Sequence, residues 1–489
     1  MFNLFINLLN KKYKSNDIMK TIKKLPLLLL AITLLWSCSN DDDNASPINP
    51  TPQPTLNIVE TAQASADLSS LVAAVIEANL ATTLSGPGPY TVLAPTNEAF
   101  AEFMSDNGWA TVQDIPDAAL EQTLLNHVIS GTVTSSTLVG LGSGYTNTLA
   151  TGAGGNAMSL YFDASTSVTF NNTASVTTAD ISATNGIVHV IDKVITLPSV
   201  VDHALANPGF SNLVSALVAA DGDLVTVLSG TGPFTVLAPD DMAFETFLDG
   251  TTLGDVPTDA LSQILLNHVI AGVVTSTELT TAISGYTNTS ATGAGGNAMS
   301  LYYNTEAGVT FNGASTVTAA DVVGTNGIIH AVDAVIDLPT IATFATSNPA
   351  LTNLVAALQS ADSGTPTVPY VATLSDAAAG PFTVFAPTND AFANLLLELD
   401  PTGNTELGDM PPASVDGVLL YHVVAANVQS SELMSGVVTT LGGDITADAT
   451  AFTLTDPNLR VSNIITTLVD IQASNGVVHA IDKVVLPLQ

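Results

Sequence analysis

Apolar residues recur at helical spacing three times along the chain: at Leu68, Leu71, Val72, Val75 and Ile76, at Phe210, Leu213, Val214, Leu217 and Val218, and at Leu351, Leu354, Val355 and Leu358. Each stripe predicts an amphipathic helix with one face on a core. A short apolar run follows each helix, Thr-Val-Leu-Ala-Pro at 91–95 and 235–239 and Thr-Val-Phe-Ala-Pro at 383–387, and reads as a strand. Thr96, Asp240 and Thr388 then stand where a side-chain oxygen caps a second helix, whose first turn carries Phe100, Phe244 or Phe392. Pro116 and Pro257 suit the first turn of a third helix, which runs to an Asn-His-Val-Ile segment. Beyond it the period drops to two: Met158, Leu160 and Phe162 alternate with Ser159 and Tyr161, which predicts strands with one buried face. Asn-Gly-Ile-Val-His-Val-Ile-Asp (185–192) reads as a tight turn into a central strand.

These elements occur three times in unchanged order. Pro-Tyr-Thr-Val-Leu-Ala-Pro-Thr (89–96) returns at 233–240 and 381–388; Leu-Leu-Asn-His-Val-Ile (124–129) returns at 265–270 and as Leu-Leu-Tyr-His-Val-Val at 419–424; the closing block returns at 326–333 and 475–482. A period of roughly 145 residues is a whole domain rather than a solenoid repeat. The sequence therefore divides into units at 56–198, 199–339 and 340–489, with boundaries near Pro198 and Pro339. Gly144–Asp163 and Gly285–Asn304 are almost identical, and recent duplication accounts for that likeness.

The N-terminus reads differently. Met19–Lys24 is basic and Leu25–Trp36 is an apolar run too short to span a bilayer, which needs roughly 20 residues. It ends at Leu-Trp-Ser-Cys (35–38), which resembles the bacterial lipobox, with Cys38 as the lipidated residue. Ser39–Asp43 resembles the acidic tag that sends Bacteroidetes lipoproteins to the outer face of the outer membrane. Residues 1–37 are thus an upstream extension plus signal peptide, and 38–55 an acidic, proline-rich tether. Cleavage before Cys38 removes six of the nine basic residues and only Asp17 among the 44 acidic ones. The formal charge goes from −35 to about −40. So acidic a surface repels nucleic acid, and a single cysteine excludes an internal disulfide framework.

The three ordered blocks resemble the fasciclin domain, over roughly residues 56–489. That resemblance implies an α+β fold, three tandem wedge-shaped β-sandwiches with helices packed on one side, and service in cell adhesion or matrix attachment. In several animal members the central element is Tyr-His and has been linked to receptor contact. Only the third unit keeps it, as Tyr421-His422, so these two are the candidate partner-contact residues; the other units carry Asn126-His127 and Asn267-His268. No Arg-Gly-Asp triplet occurs.

Repetition in every unit marks His127, His268, His189, His330 and His479, with Pro95, Pro239 and Pro387, as structural residues of the motif blocks; His422 shares that context. His-x-His or His-x-x-x-His spacing, which a metal would want, is absent from the sequence. Gly152–Ala157 nominally fits a dinucleotide fingerprint, but alternating strand residues follow where a helix should open, so it reads as a loop. No nucleophile elbow or Walker loop occurs. The expectation is a non-enzymatic surface adhesin without cofactor or metal. It would be held to the outer membrane by lipid alone and face the cell exterior, with extracellular polysaccharide, matrix or surface proteins as partners. The alternative is a glycan- or polymer-binding subunit of an outer-membrane uptake system. An extracellular hydrolase is a third class, with no nucleophile–base arrangement behind it.

Overall fold

The structure, a computed structural model, describes residues 53–488. Contacts divide the chain into Met1–Gln53 and Pro54–Gln489. Cys38, the signal and most of the tether lie outside the described residues.

The first unit opens with helix Ile58–Gln63, whose N-cap Asn57 makes a reciprocal capping box with Glu60. Helices Ser69–Glu77 and Ala81–Ser85 follow, then strand Tyr90–Pro95. The predicted cap is present in all three units: Thr96, Asp240 and Thr388 accept from the amides of Ala99, Ala243 and Ala391. The capped helix is the fourth of its unit rather than the second, because two short helices flank the one marked by the apolar stripe. That stripe is also narrower than expected: Ile76 and Val218, at its C-terminal edge, are exposed. Pro116 and Pro257 sit one position earlier than predicted, as N-caps of helices Asp117–Leu125 and Thr258–Leu266.

Strand Tyr90–Pro95 lies between two partners, antiparallel to Val128–Ser130 and parallel to Gly186–Ile191, with Tyr90 opposite Gly186 and Pro95 opposite Ile191. It separates two cores. Val92 and Ala94 face the helices beside Phe100, Leu124 and Val188. Leu93 faces the other way, toward Leu160, Phe162, Phe170 and Ile191. A strand buried on both faces needs a run of apolar residues, and that is what the sequence carries. Gly186 is required here: its φ is +154°, and a Cβ would lie 2.0 Å from the carbonyl oxygen of Tyr90.

In the first and second units the strands close into a ring of seven, each in order of sequence around the ring. In the third unit the ring is open. Val423–Val424, Phe382–Pro387, Gly476–Ile481 and Ile471–Ala473 make one four-stranded sheet, and the segments between Gly436 and Asn463 make another.

The units are docked to one another. Strand Ala157–Asp163, expected to bury one face, buries both: Ser159 is 2 % exposed and Tyr161 4 %. The polar-looking face is covered by the next unit, where the amide of Val323 donates to Ser159 Oγ at 2.9 Å. Between the second and third units the amide of Gln472 does the same to Ser300 Oγ at 2.9 Å.

Candidate functional site

The repeated histidines form two sets. In the central element, His127 Nδ1 lies 2.7 Å from the carbonyl oxygen of Thr123, and its Nε2 accepts from the amide of Ile195 at 2.9 Å. His268 is held between Ile264 O (2.7 Å) and Ile336 N (2.8 Å), and His422 between Val418 O (2.9 Å) and Val485 N (3.0 Å). Each ring therefore donates from Nδ1 and accepts at Nε2, which only a neutral imidazole can do. Burial pushes all three well below the usual histidine value, to about 4.

The second set sits on the last strand. The amide of Asp180 donates to His189 Nδ1 at 3.2 Å, and Nε2 donates to the carbonyl of Val133 at 2.8 Å. His330 and His479 repeat this with Asp321 and Val274, and with Asp470 and Val428. Each aspartate has positive φ and turns its carboxylate onto a serine, pairing Ser135 with Asp180, Ser276 with Asp321 and Ser430 with Asp470. Serine, aspartate and histidine thus meet three times, but not as a catalytic relay. The carboxylate holds the serine, and both ring nitrogens are committed to the backbone, so no base is free to take the serine proton. Sequence reading missed these pairs; an aspartate nine residues before each closing histidine was the signal.

Pro95, Pro239 and Pro387 end their strands opposite Ile191, Val332 and Ile481, where the missing N–H costs nothing because the next residue donates instead.

The Tyr-His element is turned inward. His422 is 1 % exposed, and Tyr421 lies half-buried against Gly442 and Gly443. The corresponding Asn126 is fully buried: its Nδ2 donates to Thr196 O at 3.2 Å and its Oδ1 accepts from Thr148 Oγ1 at 3.1 Å. Asn267 does the same with Asp337 O and Thr289 Oγ1. In the third unit the ring of Tyr421 packs on Gly442 and Gly443 instead, and Thr440, the counterpart of Thr148, donates its hydroxyl to the carbonyl of Gly443.

Gly152–Ala157 is a short 3-10 turn entering a strand, with Gly154 at φ +67°. Among the described residues no cluster of three or more His, Cys, Asp or Glu is placed to hold a metal. In the third unit an apolar cavity of about 350 Å³ lies among Phe392, Leu395, Leu407, Met410 and Leu486, without the converging polar groups that orient a ligand. Of the basic residues beyond the N-terminus, Lys193 pairs with Glu102, and Arg460 with Glu398 and Asp456. No described helix is long and apolar enough to cross a membrane.

The geometry defines a modular α+β array whose repeated residues fasten elements together. The chain belongs to the fasciclin domain family, whose model matches residues 66–198, 208–339 and 349–487. It is similar to pig (Sus scrofa) transforming growth factor-beta-induced protein ig-h3, at 29 % identity over 450 residues, covering 88 % of this chain and 58 % of that protein. The chain thus spans less than two thirds of that relative's length. It also resembles protein sll1483 of Synechocystis, at 39 % identity over 150 residues, 30 % of this chain and 73 % of that one. A solved FAS1 domain pair from the insect cell adhesion molecule fasciclin I covers 54 % of this chain and 92 % of its own, at 20 % identity and a TM-score of 0.34.

Proposed function

We propose that the protein is a cell-surface adhesin, lipid-anchored at Cys38 to the outer membrane with its fasciclin units facing outward, and that it attaches cells to extracellular polysaccharide, matrix or surface proteins. The observation that carries this reading is the fasciclin match repeated over three units, in a family whose resemblance implies adhesion. The closed chemistry of the repeated serine–aspartate–histidine groups favours binding over turnover. Several weak modules on one tether gain avidity when they engage together.

The test is protease treatment of intact cells, with a lysed control, followed by attachment assays on a deletion strain. The expected result is loss of the protein from intact cells and a several-fold drop in attachment, restored by the wild-type gene and not by a Cys38→Ala chain. Protection until lysis, or unchanged attachment after deletion, overturns the reading.

A further inference from the structure

The two joints are built alike. From the first unit, Tyr145 enters the second: its ring meets the edge of His203 at 5.6 Å, and its hydroxyl accepts from Asn207 Nδ2 at 3.4 Å. From the second, Tyr286 meets Phe344 at 5.6 Å and accepts from Asn348 Nδ2 at 3.0 Å. Ser159 and Ser300 accept the amides of Val323 and Gln472. Gly152 and Gly293 make the closest approach, where a Cβ would stand 2.6 Å from Val323 Cγ1 and 2.6 Å from the carbonyl oxygen of Ala473. Tyr145, Gly152 and Ser159, and Tyr286, Gly293 and Ser300, all lie within the nearly identical stretches of the first two units.

The ends differ. Strand register places the third unit's counterparts: Phe162 pairs with Gly144 and Phe170, as Ala447 pairs with Gly436 and Leu454. Tyr145 then corresponds to Val437, which is 70 % exposed, and Ser159 to exposed Asp444. The glycine-rich segment Thr148–Met158 shrinks to Thr440–Gly443. At the other end, positions four and eight beyond the first helix cap are His203 and Asn207, or Phe344 and Asn348, in the receiving units, but Thr61 and Ser65 in the first. The first unit has the hairpin without the receiving residues, and the third has the receiving residues without the hairpin.

We propose that Ser143–Asp163 and Ser284–Asn304 are domain-docking hairpins. Their partner is the first helix and closing hairpin of the following unit, and the array is self-limiting because neither end completes a further joint. A head-to-tail contact that did not terminate would propagate into fibres; the missing hairpin of the third unit prevents this.

The test uses the chain from Cys38 onward. Gly152→Leu is compatible with the local backbone (φ −107°) and collides only across the joint. It is expected to raise amide exchange at Val323 at least about tenfold, leave Gln472 unchanged and lengthen the particle in small-angle scattering, whereas Gly293→Leu reverses the two amides. Tyr145→Ser, which creates no clash, is expected to act in the same direction as Gly152→Leu. The wild-type chain is expected to sediment as a monomer at all concentrations. Unchanged exchange at Val323 in both Gly152→Leu and Tyr145→Ser overturns the docking role, and concentration-dependent oligomers of the wild type overturn self-limitation.

Discussion

Lowering the pH from 7 toward 4 is expected to destabilise every unit, the second most of all. His127, His268 and His422 are held near 4 by burial, against about 6.5 in an unfolded chain. The unfolded state therefore takes up protons first. Stability is complete above pH 6.5 and is lost as the pH falls toward the folded value, by roughly 3 kcal/mol per histidine across the window. The second unit carries a further such group in His203, also near 4 through burial, whose Nδ1 is buried without a partner. Burial lowers His330 and His479 as well. Carboxylates act later: hydrogen bonds hold Asp114 and Asp255 below the usual value and Asp400 near 2, so their contribution is lost only below about pH 4. Relief of acidic repulsion also waits for carboxylates to protonate, below most of the histidine window. Thermal melts and hydrogen exchange at pH 7, 6 and 5 check this. A midpoint that does not fall by pH 5, or a second unit no more sensitive than the others, would sink it.

The second large effect concerns an asparagine that reads in sequence as half of a turn. Asn475 is 1 % exposed; its Oδ1 accepts from Ile341 N at 2.9 Å, and its Nδ2 donates to Leu374 O at 3.0 Å and Asp376 O at 3.1 Å. It ties the first helix, the C-terminal end of helix Tyr370–Ser375 and the closing hairpin at one point. Asn185 and Asn326 make the same three contacts in their units. Asn475→Ala leaves a buried amide and two carbonyls unpaired, so the third unit is expected to lose about 3–4 kcal/mol. Asn475→Asp is expected to do at least as much damage, because it turns a donor into an acceptor facing two carbonyls. Urea unfolding followed by exchange in the third unit measures the loss. A cost below about 1 kcal/mol, the scale of a turn preference, would mean that the side chain acts only through the turn.

These two cases show where sequence reading stopped. Repetition marked the histidines as structural, but it did not give the identity of the amide that each ring accepts from, which lies 68 residues away for His127. The Asn-Gly pair was legible as a turn because its signal is local. Its clasp was not, because Leu84 and Gly86 come within reach of Asn185 only after the strands pair. Tyr421-His422 drew attention by resemblance; folding buries its histidine just as it buries His127 and His268 in the closed units, and leaves its tyrosine half-buried.

By itself the sequence determined the three units, their mixed helix and strand content, their caps and the apolar strand at their centre, because periodicity, capping and block repetition are short-range properties written in neighbouring residues. The tertiary structure decided how each unit closes and what the copied stretches of the first two units are for. Alternation at Ser159 and Tyr161 looks the same whether the polar face meets water or another unit. Only the arrival of Val323 on Ser159 distinguishes the two, since burial belongs to surfaces brought together by folding rather than to the residues that form them.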